Sequence, residues 1–215
     1  MTEGTPVVAA LLAAGAGSRF AGPTHKLDAD LRGRTVLRRA VDAARDSGIG
    51  PVVVVTAEHV ATDLASLADV HVVRNDDWAS GQQSSLRRAI EAAAALGALQ
   101  VVVGLGDQPF LSPSAWRAVA AAGSTAPIAV ATYAEAAGAD PAGSGPPGRA
   151  RRGHPVSLAA TVWPLLPTSG DEGARRLMAL RPDLVTEVPC EGSTVDIDTM
   201  EDLHRWQNSS STSSP

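Results

Sequence analysis

Runs of consecutive valines constrain this chain more than any other feature: VVVVT at 52–56, QVVVG at 100–104, and an apolar run opening with Val7 and Val8. A strand with one face in water alternates apolar and polar residues, whereas a strand covered on both faces reads as an unbroken apolar run. The valine runs therefore predict strands sandwiched between helices, at 7–12, 52–56 and 100–104. Segments 70–74 and 128–132 are further strand candidates. Helical spacing predicts helices over 35–47, 59–67, 84–96 and 113–122, the last capped by Ser112 with Pro113 at its first position. Strands alternating with helices imply βαβ units, hence an α/β fold with a mostly parallel sheet. Only 3% of residues are aromatic, so the core has to be built from Val, Leu, Ile and Ala.

The second half is less regular. Gly and Pro punctuate residues 134–153 too often for a packed element, which predicts a mobile loop carrying Arg149, Arg151 and Arg152. These arginines either clamp a phosphate or keep the loop soluble. HPVSL at 154–158 resumes as a strand, 171–181 reads as a helix stopped by Pro182, and a short strand near 185–188 precedes a closing helix capped by Thr199 or Asp198. The tail 208–215 is low-complexity and expected to be disordered. At 215 residues the chain suits one well-buried domain, placed at 1–207. A formal charge of −5 argues against nonspecific nucleic-acid binding. A single cysteine, Cys190, excludes an internal disulfide and a cysteine-based zinc cluster. No basic leader and no long apolar segment is visible, so the expected setting is cytoplasmic, with no membrane partner.

The first strand runs into LAAGAGSRFAG at 12–22, followed by Lys26. Small side chains leave backbone N–H groups open to an anion, Arg19 can fork onto phosphate oxygens, and Lys26 supplies a compact charge. The segment predicts a polyphosphate ligand at the strand's carboxyl end. A dinucleotide-binding turn would need a third glycine where Phe20 stands, and a P-loop would need Lys-Ser where Pro23 and Thr24 stand. Neither fits.

Asp107, in GDQP at 106–109, leaves the strongest internal strand and so falls on the same sheet edge. A carboxylate beside phosphates makes chemical sense with a cation between them. Mg²⁺ fits, because it takes one or two carboxylates plus phosphate oxygens. Asp196 and Asp198, two apart, share one face of an extended segment. Asp198 has a local use as a helix cap, which leaves Asp196 as the second metal ligand.

Taken in order, LAAGAGSRFAG with Lys26, Asn75 with GQQSSL at 81–86, GDQP, GHPV at 153–156, GDEGAR at 170–175 and DIDTMEDL at 196–203 resemble the MobA-like nucleotidyltransferases. Within them the chain is most similar to the molybdenum cofactor cytidylyltransferases, over nearly all of residues 7–206. The resemblance implies a Rossmann-like three-layer nucleotidyltransferase fold. It implies transfer of CMP from CTP to the terminal phosphate of molybdenum-bound molybdopterin, with release of pyrophosphate, and a molybdenum hydroxylase as recipient. Leu12, Ala13, Ala14, Gly15 and Gly17 would then hold the triphosphate with Arg19 and Lys26, while Asp107 and Asp196 bind Mg²⁺. Asn75, Gly81, Ser84 and Ser85 would lie near base and ribose, and His154 and Arg175 would contact the acceptor. Relatives with LAGG in the first motif tend to use GTP, so Ala13-Ala14 points to CTP. The alternatives are the same reaction with GTP or with another phosphorylated acceptor, such as a sugar phosphate or phospholactate, and a non-catalytic molybdopterin carrier. Two features depart from the family pattern: Phe20-Ala21-Gly22 replaces a tighter Met-Gly, and the 134–153 segment is longer than expected.

Overall fold

A computed structural model of the chain describes residues 6–57, 64, 67–134 and 150–208. Its strands are β1 (Val7–Ala13), β2 (Val52–Thr56), β3 (Val70–Arg74), β4 (Gln100–Leu105), β5 (Ile128–Tyr133), β6 (Arg151–Ala159) and β7 (Val185–Pro189). They form one seven-stranded sheet in the order β3-β2-β1-β4-β6-β5-β7. Every adjacent pair is parallel except those of β6, which runs antiparallel to both β4 and β5. The valine runs behave as their composition requires. All five residues of β2 and the first five of β4 are buried.

Helices α1 (Val36–Asp46), α2 (Gln82–Ala95), α3 (Pro113–Gly123), α4 (Arg175–Leu180) and α5 (Met200–Asn208) cover the two faces. Side chains alternate along β1: Ala9, Leu11 and Ala13 join the core with α1, α3 and α5, whereas Val8, Ala10 and Leu12 join the core with α2 and α4. The result is three layers, an α/β sandwich with a mostly parallel sheet. Helix α1 shows how locally its start is written. Thr35 caps it by accepting from the Arg38 N–H at 3.1 Å, and Val36, Leu37, Ala40, Val41 and Ala44 recur at helical spacing to form its buried stripe. Ser112 likewise accepts from the Ala115 N–H at 3.2 Å, with Pro113 following as expected. In the core, the fully buried Trp116 lies over Gly104, where a Cβ would come within 2.7 Å of the indole.

Several expected boundaries move. Helix α2 starts at Gln82 and not 84, because Gly81 at φ 110° breaks the chain immediately before it. The predicted helix over 171–181 is helical only from Arg175, since Gly173 adopts a left-handed φ of 53°. The expected loop over 134–153 is too long at its end: Arg151, Arg152 and Gly153 already belong to β6, paired with Tyr133, Thr132 and Ala131. Arg152 is held there by Glu187 at 2.7 Å. Residues 135–149, most of the predicted helix 59–67 and the tail from 209 lie outside the described residues, whereas Asn208 ends α5. None of the described helices is long and apolar enough to cross a membrane.

Candidate active site

β1 and β4 lie side by side in parallel, with Leu12 opposite Leu105, so the segments leaving them emerge together. To one side of β1 the chain continues through α1 to β2, and to the other lies β4. That reversal of strand order is where open α/β sheets bind ligands. Gly106 fits the junction because a Cβ there would lie 2.9 Å from that of Ala13, and its N–H donates to the Leu12 carbonyl at 2.9 Å. Asp107 follows at once.

The loop after β1 folds back on itself. The Phe20 N–H donates to the Gly17 carbonyl at 2.9 Å, with Gly17 at φ 60°. His25 donates from Nε2 to the Gly15 carbonyl at 3.1 Å while its Nδ1 accepts from the Leu27 N–H at 3.3 Å, which fixes one neutral tautomer. Phe20 packs into the core beneath, so the loop is braced from both sides. Nothing lies within 4 Å of where a Gly15 Cβ would stand, so the backbone there faces open space.

Lys26, whose side chain is 11% exposed, reaches the mouth between the strands. Its Nζ donates to Asp107 Oδ2 at 2.6 Å and to Asp198 Oδ1 at 2.8 Å. Burial alone would lower its pKa, but the charges and hydrogen bonds of Asp107 and Asp198 outweigh burial and raise it. Arg19, exposed in the loop, pairs with the other Asp198 oxygen at 2.9 Å. Segment 196–198 reaches this point because the Ile197 N–H donates to the Asp107 carbonyl at 2.9 Å and the Ile197 side chain is fully buried. Asp196 and Asp198 therefore flank an apolar anchor. Asp196 accepts from Gln108 Nε2 at 2.7 Å. Desolvation of its carboxyl, then the charges of Asp107 and Asp198, push its pKa upward against the Gln108 hydrogen bond and Lys26.

Opening beside this cluster is a cleft of about 360 Å³ lined by Leu12, Ala13, Ala14, Gly15, Lys26 and Asp107 on one side, and by Trp78, Gly81, Gln82, Ser85 and Asp171 on the other. Asp171 accepts from the Gln82 N–H at 3.3 Å and Gly170 from the Gln83 N–H at 3.0 Å, so the 170–171 segment satisfies donors at the start of α2. A second cavity of about 280 Å³ adjoins it, sharing Leu12 and Gln82. Its floor is apolar (Val103, Val130, Val156, Met178), and Arg152, His154 and Arg175 line its polar side. Desolvation and the Arg175 charge push the His154 pKa down to about 4, so this imidazole is neutral at pH 7.

Most residues expected from the sequence thus converge. Arg19, Lys26, Asp107 and Asp196 meet at one sheet edge, Leu12 to Gly15 with Gly81 and Ser85 line the cleft, and His154 and Arg175 line the second cavity. Gly17 shapes the loop instead of lining the cleft. Asn75, fully buried, donates to Ser84 Oγ at 2.8 Å and Ser85 Oγ at 3.0 Å, while Ser84 donates to the Gly81 carbonyl at 2.9 Å. These hydroxyls brace the start of α2. The expected cap role of Asp198 belongs to Thr199 alone, whose Oγ accepts from the Asp202 N–H at 3.1 Å while Asp202 accepts from the Thr199 N–H at 3.0 Å. Sequence reasoning missed Asp198 as the partner of both cations, Gln108 as the support of Asp196, and Asp171 as the brace of α2.

Among the described residues, no cluster of three or more His, Cys, Asp or Glu side chains is arranged to hold a metal unaided. The donor set still suits a divalent ion that completes its shell with phosphate and water. Asp107 Oδ1 is buried without a hydrogen-bond partner, and burial and the charges of Asp107 and Asp198 hold the Asp196 pKa up despite the Gln108 hydrogen bond and the Lys26 charge. A cation answers both.

Residues 9–187 match the MobA-like NTP transferase domain family. Among solved structures, Rv0371c from Mycobacterium tuberculosis H37Rv is 28% identical with a TM-score of 0.74, covering 94% of this chain and 98% of that one. The same mycobacterial protein in complex with manganese aligns with a TM-score of 0.69 over 95% of this chain and 100% of that one, at 28% identity. A nucleotidyl transferase from Methanothermobacter thermautotroptrophicus is also 28% identical, with a TM-score of 0.72, over 96% and 98% of the two chains. A comparison with curated proteins gives no match. With its cleft at the carboxyl ends of β1 and β4, the chain belongs to the MobA-like NTP transferase family and is a nucleotidyltransferase.

Proposed function

We propose that the protein transfers CMP from CTP to the terminal phosphate of a molybdopterin-type acceptor and releases pyrophosphate. The observation that carries this reading is the set of Arg19, Lys26 and Asp107 at the mouth of a cleft that adjoins a second, largely apolar cavity. A triphosphate laid along Ala13 to Gly15 reaches Lys26, and a planar heterocycle with an anionic tail suits an apolar floor edged by His154 and Arg175. Ala13 and Ala14 favour cytosine over guanine on the family resemblance.

The nucleophile is an acceptor phosphate oxygen. With a second pKa of about 6 it is largely dianionic at pH 7, so no side chain has to remove a proton from it. A P–O bond forms to the α-phosphorus as the bond to the bridging oxygen breaks, and pyrophosphate leaves with that electron pair. Arg19 and Lys26 offset charge gathering on the departing oxygens, and the loop after β1 keeps the triphosphate in line. Neutral His154 contributes hydrogen bonding to the acceptor without adding charge. Asp107 and Asp196 would hold a divalent ion, Mg²⁺ in the cell, which when bound draws charge off the α-phosphate. Asp198 is already matched by Arg19 and Lys26, which leaves Asp196 as the carboxylate in need of a cation.

Pyrophosphate release from each of the four common ribonucleoside triphosphates, with and without molybdopterin-type acceptor, tests the proposal. Turnover only with CTP and that acceptor is expected; turnover with a sugar phosphate or with GTP sinks it. Asp107→Asn should lower kcat on the order of 10²–10³-fold, the scale seen when one preorganised electrostatic group is removed.

A further inference from the structure

His154 sits where β6 leaves both of its ladders. Val156 pairs with Val130 of β5 and with Val103 of β4, and the β5 pairing resumes only at Gly153, opposite Ala131. His154 and Pro155 therefore stand opposite no residue of β5 and form a bulge. Bulges beside binding sites re-aim a side chain and give up ladder hydrogen bonds to do so. Pro155 has no N–H to offer a ladder, and the His154 carbonyl accepts from the Tyr133 hydroxyl at 2.7 Å. The Tyr133 ring is buried in the core with α1 and α3, on the sheet face opposite the cavity floor of Val130, Val156 and Met178. Gly153 leaves room for it, since a Cβ there would lie 3.4 Å from Tyr133 Cε2. Burial, and after it the Cys190 thiol, raises the phenol pKa, so Tyr133 keeps its donor proton at neutral pH.

We propose that Tyr133 is a positioning residue, which fixes the backbone of the bulge and so aims the His154 imidazole into the second cavity, where it sets affinity for the acceptor. Tyr133 does not line that cavity and acts on an acceptor only through His154. The hydrogen bond lies within the protein, so it contributes equally to the bound and the reacting state. Its loss should weaken acceptor binding and leave the rate of transfer from the filled site unchanged. The other charged groups on the cavity are Arg152, which Glu187 holds, Arg175 and Glu172, and removing the phenol oxygen leaves all three in place. The effect on the acceptor rests on the nucleotidyl-transfer reading; the placement of His154 does not.

The experiment compares the native protein with Tyr133→Phe, His154→Gln and the double variant. Phe keeps the buried ring and removes the hydroxyl alone. At saturating CTP, pyrophosphate release should show the KM for the molybdopterin-type acceptor rising about threefold to tenfold in Tyr133→Phe, the scale of one hydrogen bond. The kcat and the KM for CTP should not move. In the His154→Gln background the same substitution should have no further effect on the acceptor KM. Nuclear magnetic resonance of the imidazole, assigned by its loss in His154→Gln, reads placement without turnover. With a pKa of about 4 the native imidazole should stay neutral at pH 5. In Tyr133→Phe its titration midpoint should rise by about half a pH unit or more, as the ring gains access to water. An acceptor KM that does not move, a KM for CTP that moves with it, effects that add in the double variant, or an unmoved His154 midpoint overturns the proposal. So does a native His154 already protonated at pH 5, a measurement that needs no variant to fold. A native protein inactive with CTP and this acceptor refutes the transfer reading, and the His154 midpoint then decides the role of Tyr133.

Discussion

Lys26 sits at the centre of the site's charge balance, and two predictions follow at the scale of single side chains. Lys26→Met removes the partner of two part-buried carboxylates, Asp107 and Asp198, at one stroke. Stranding buried charge is expensive, so the variant should unfold with about 3 kcal/mol less stability, read from urea denaturation at pH 7. The deficit should shrink as pH falls and the carboxylates protonate. His154 gives the second. Its folded pKa is about 4 against an ordinary 6.5, so below 6.5 the unfolded chain binds the proton and the folded chain does not. Its contribution is whole above pH 6.5 and is lost as pH falls toward 4. His154→Gln should therefore show a shallower loss of stability across that window than the native protein, measured by denaturation midpoints at successive pH values. The meeting of Arg19, Lys26 and Asp107 at one sheet edge was legible in the sequence because the segments that carry them leave strands marked by apolar runs. Asp198 was not, since an aspartate before a helix has a local use as a cap. Only the spatial arrival of Lys26 and Arg19, far away in sequence, separates that use from the one observed. Asn75, Ser84 and Ser85 were legible as a group, but the mutual hydrogen bonds by which they brace the start of α2 depend on three-dimensional closure.

The elements divide along the same line. Strands β1, β2 and β4 could be read from valine runs because burial on both faces removes polar alternation. The capped starts of α1 and α3 could be read because Thr35 and Ser112 act on neighbours three residues away. The start of α2 could not, since the groups that satisfy its first donors, Gly170 and Asp171, come from a distant segment. This closure predicts a specific weakness. A Cβ at Gly81 would meet the Gly170 carbonyl at 2.7 Å and the Asp171 carboxylate closer still, at a φ of 110° that L-residues rarely adopt. Gly81→Ala should displace the 170–171 segment and fray the first turn of α2. The expected signs are a lowered melting temperature and a raised KM for nucleotide with a smaller change in kcat. The shift of β6 from an expected start at 154 to Arg151 has a related cause. Pairing with Tyr133, Thr132 and Ala131 recruits residues whose Gly- and Arg-rich sequence gives no sign of a strand.

At the scale of the whole molecule, α/β class and a mostly parallel sheet were legible from the alternation of apolar runs and helical patterns. The reversal of β6 was not, because antiparallel insertion depends on which neighbours the strand finds. The sheet strings β3 at one edge to β7 at the other, and both helical layers pack on it. The two cores share β1, β2, β4 and β5, so neither can melt while the other persists. Urea unfolding followed by tryptophan fluorescence and by far-ultraviolet circular dichroism should give superimposable transitions. Separate midpoints would refute a single domain over 1–207.

Because β6 runs against its neighbours, its beginning and not its end reaches the edge where β1 and β4 terminate. The cleft beside Lys26 is lined from the first half of the chain apart from Asp171, whereas His154 enters the second cavity from the opposite direction on a later strand. On the proposed reading, changes around the start of β6 should therefore redirect the choice of acceptor without disturbing the loop after β1. Chimaeras joined between β5 and β6 should then inherit nucleotide and acceptor preference separately, as read by pyrophosphate release with each triphosphate and acceptor.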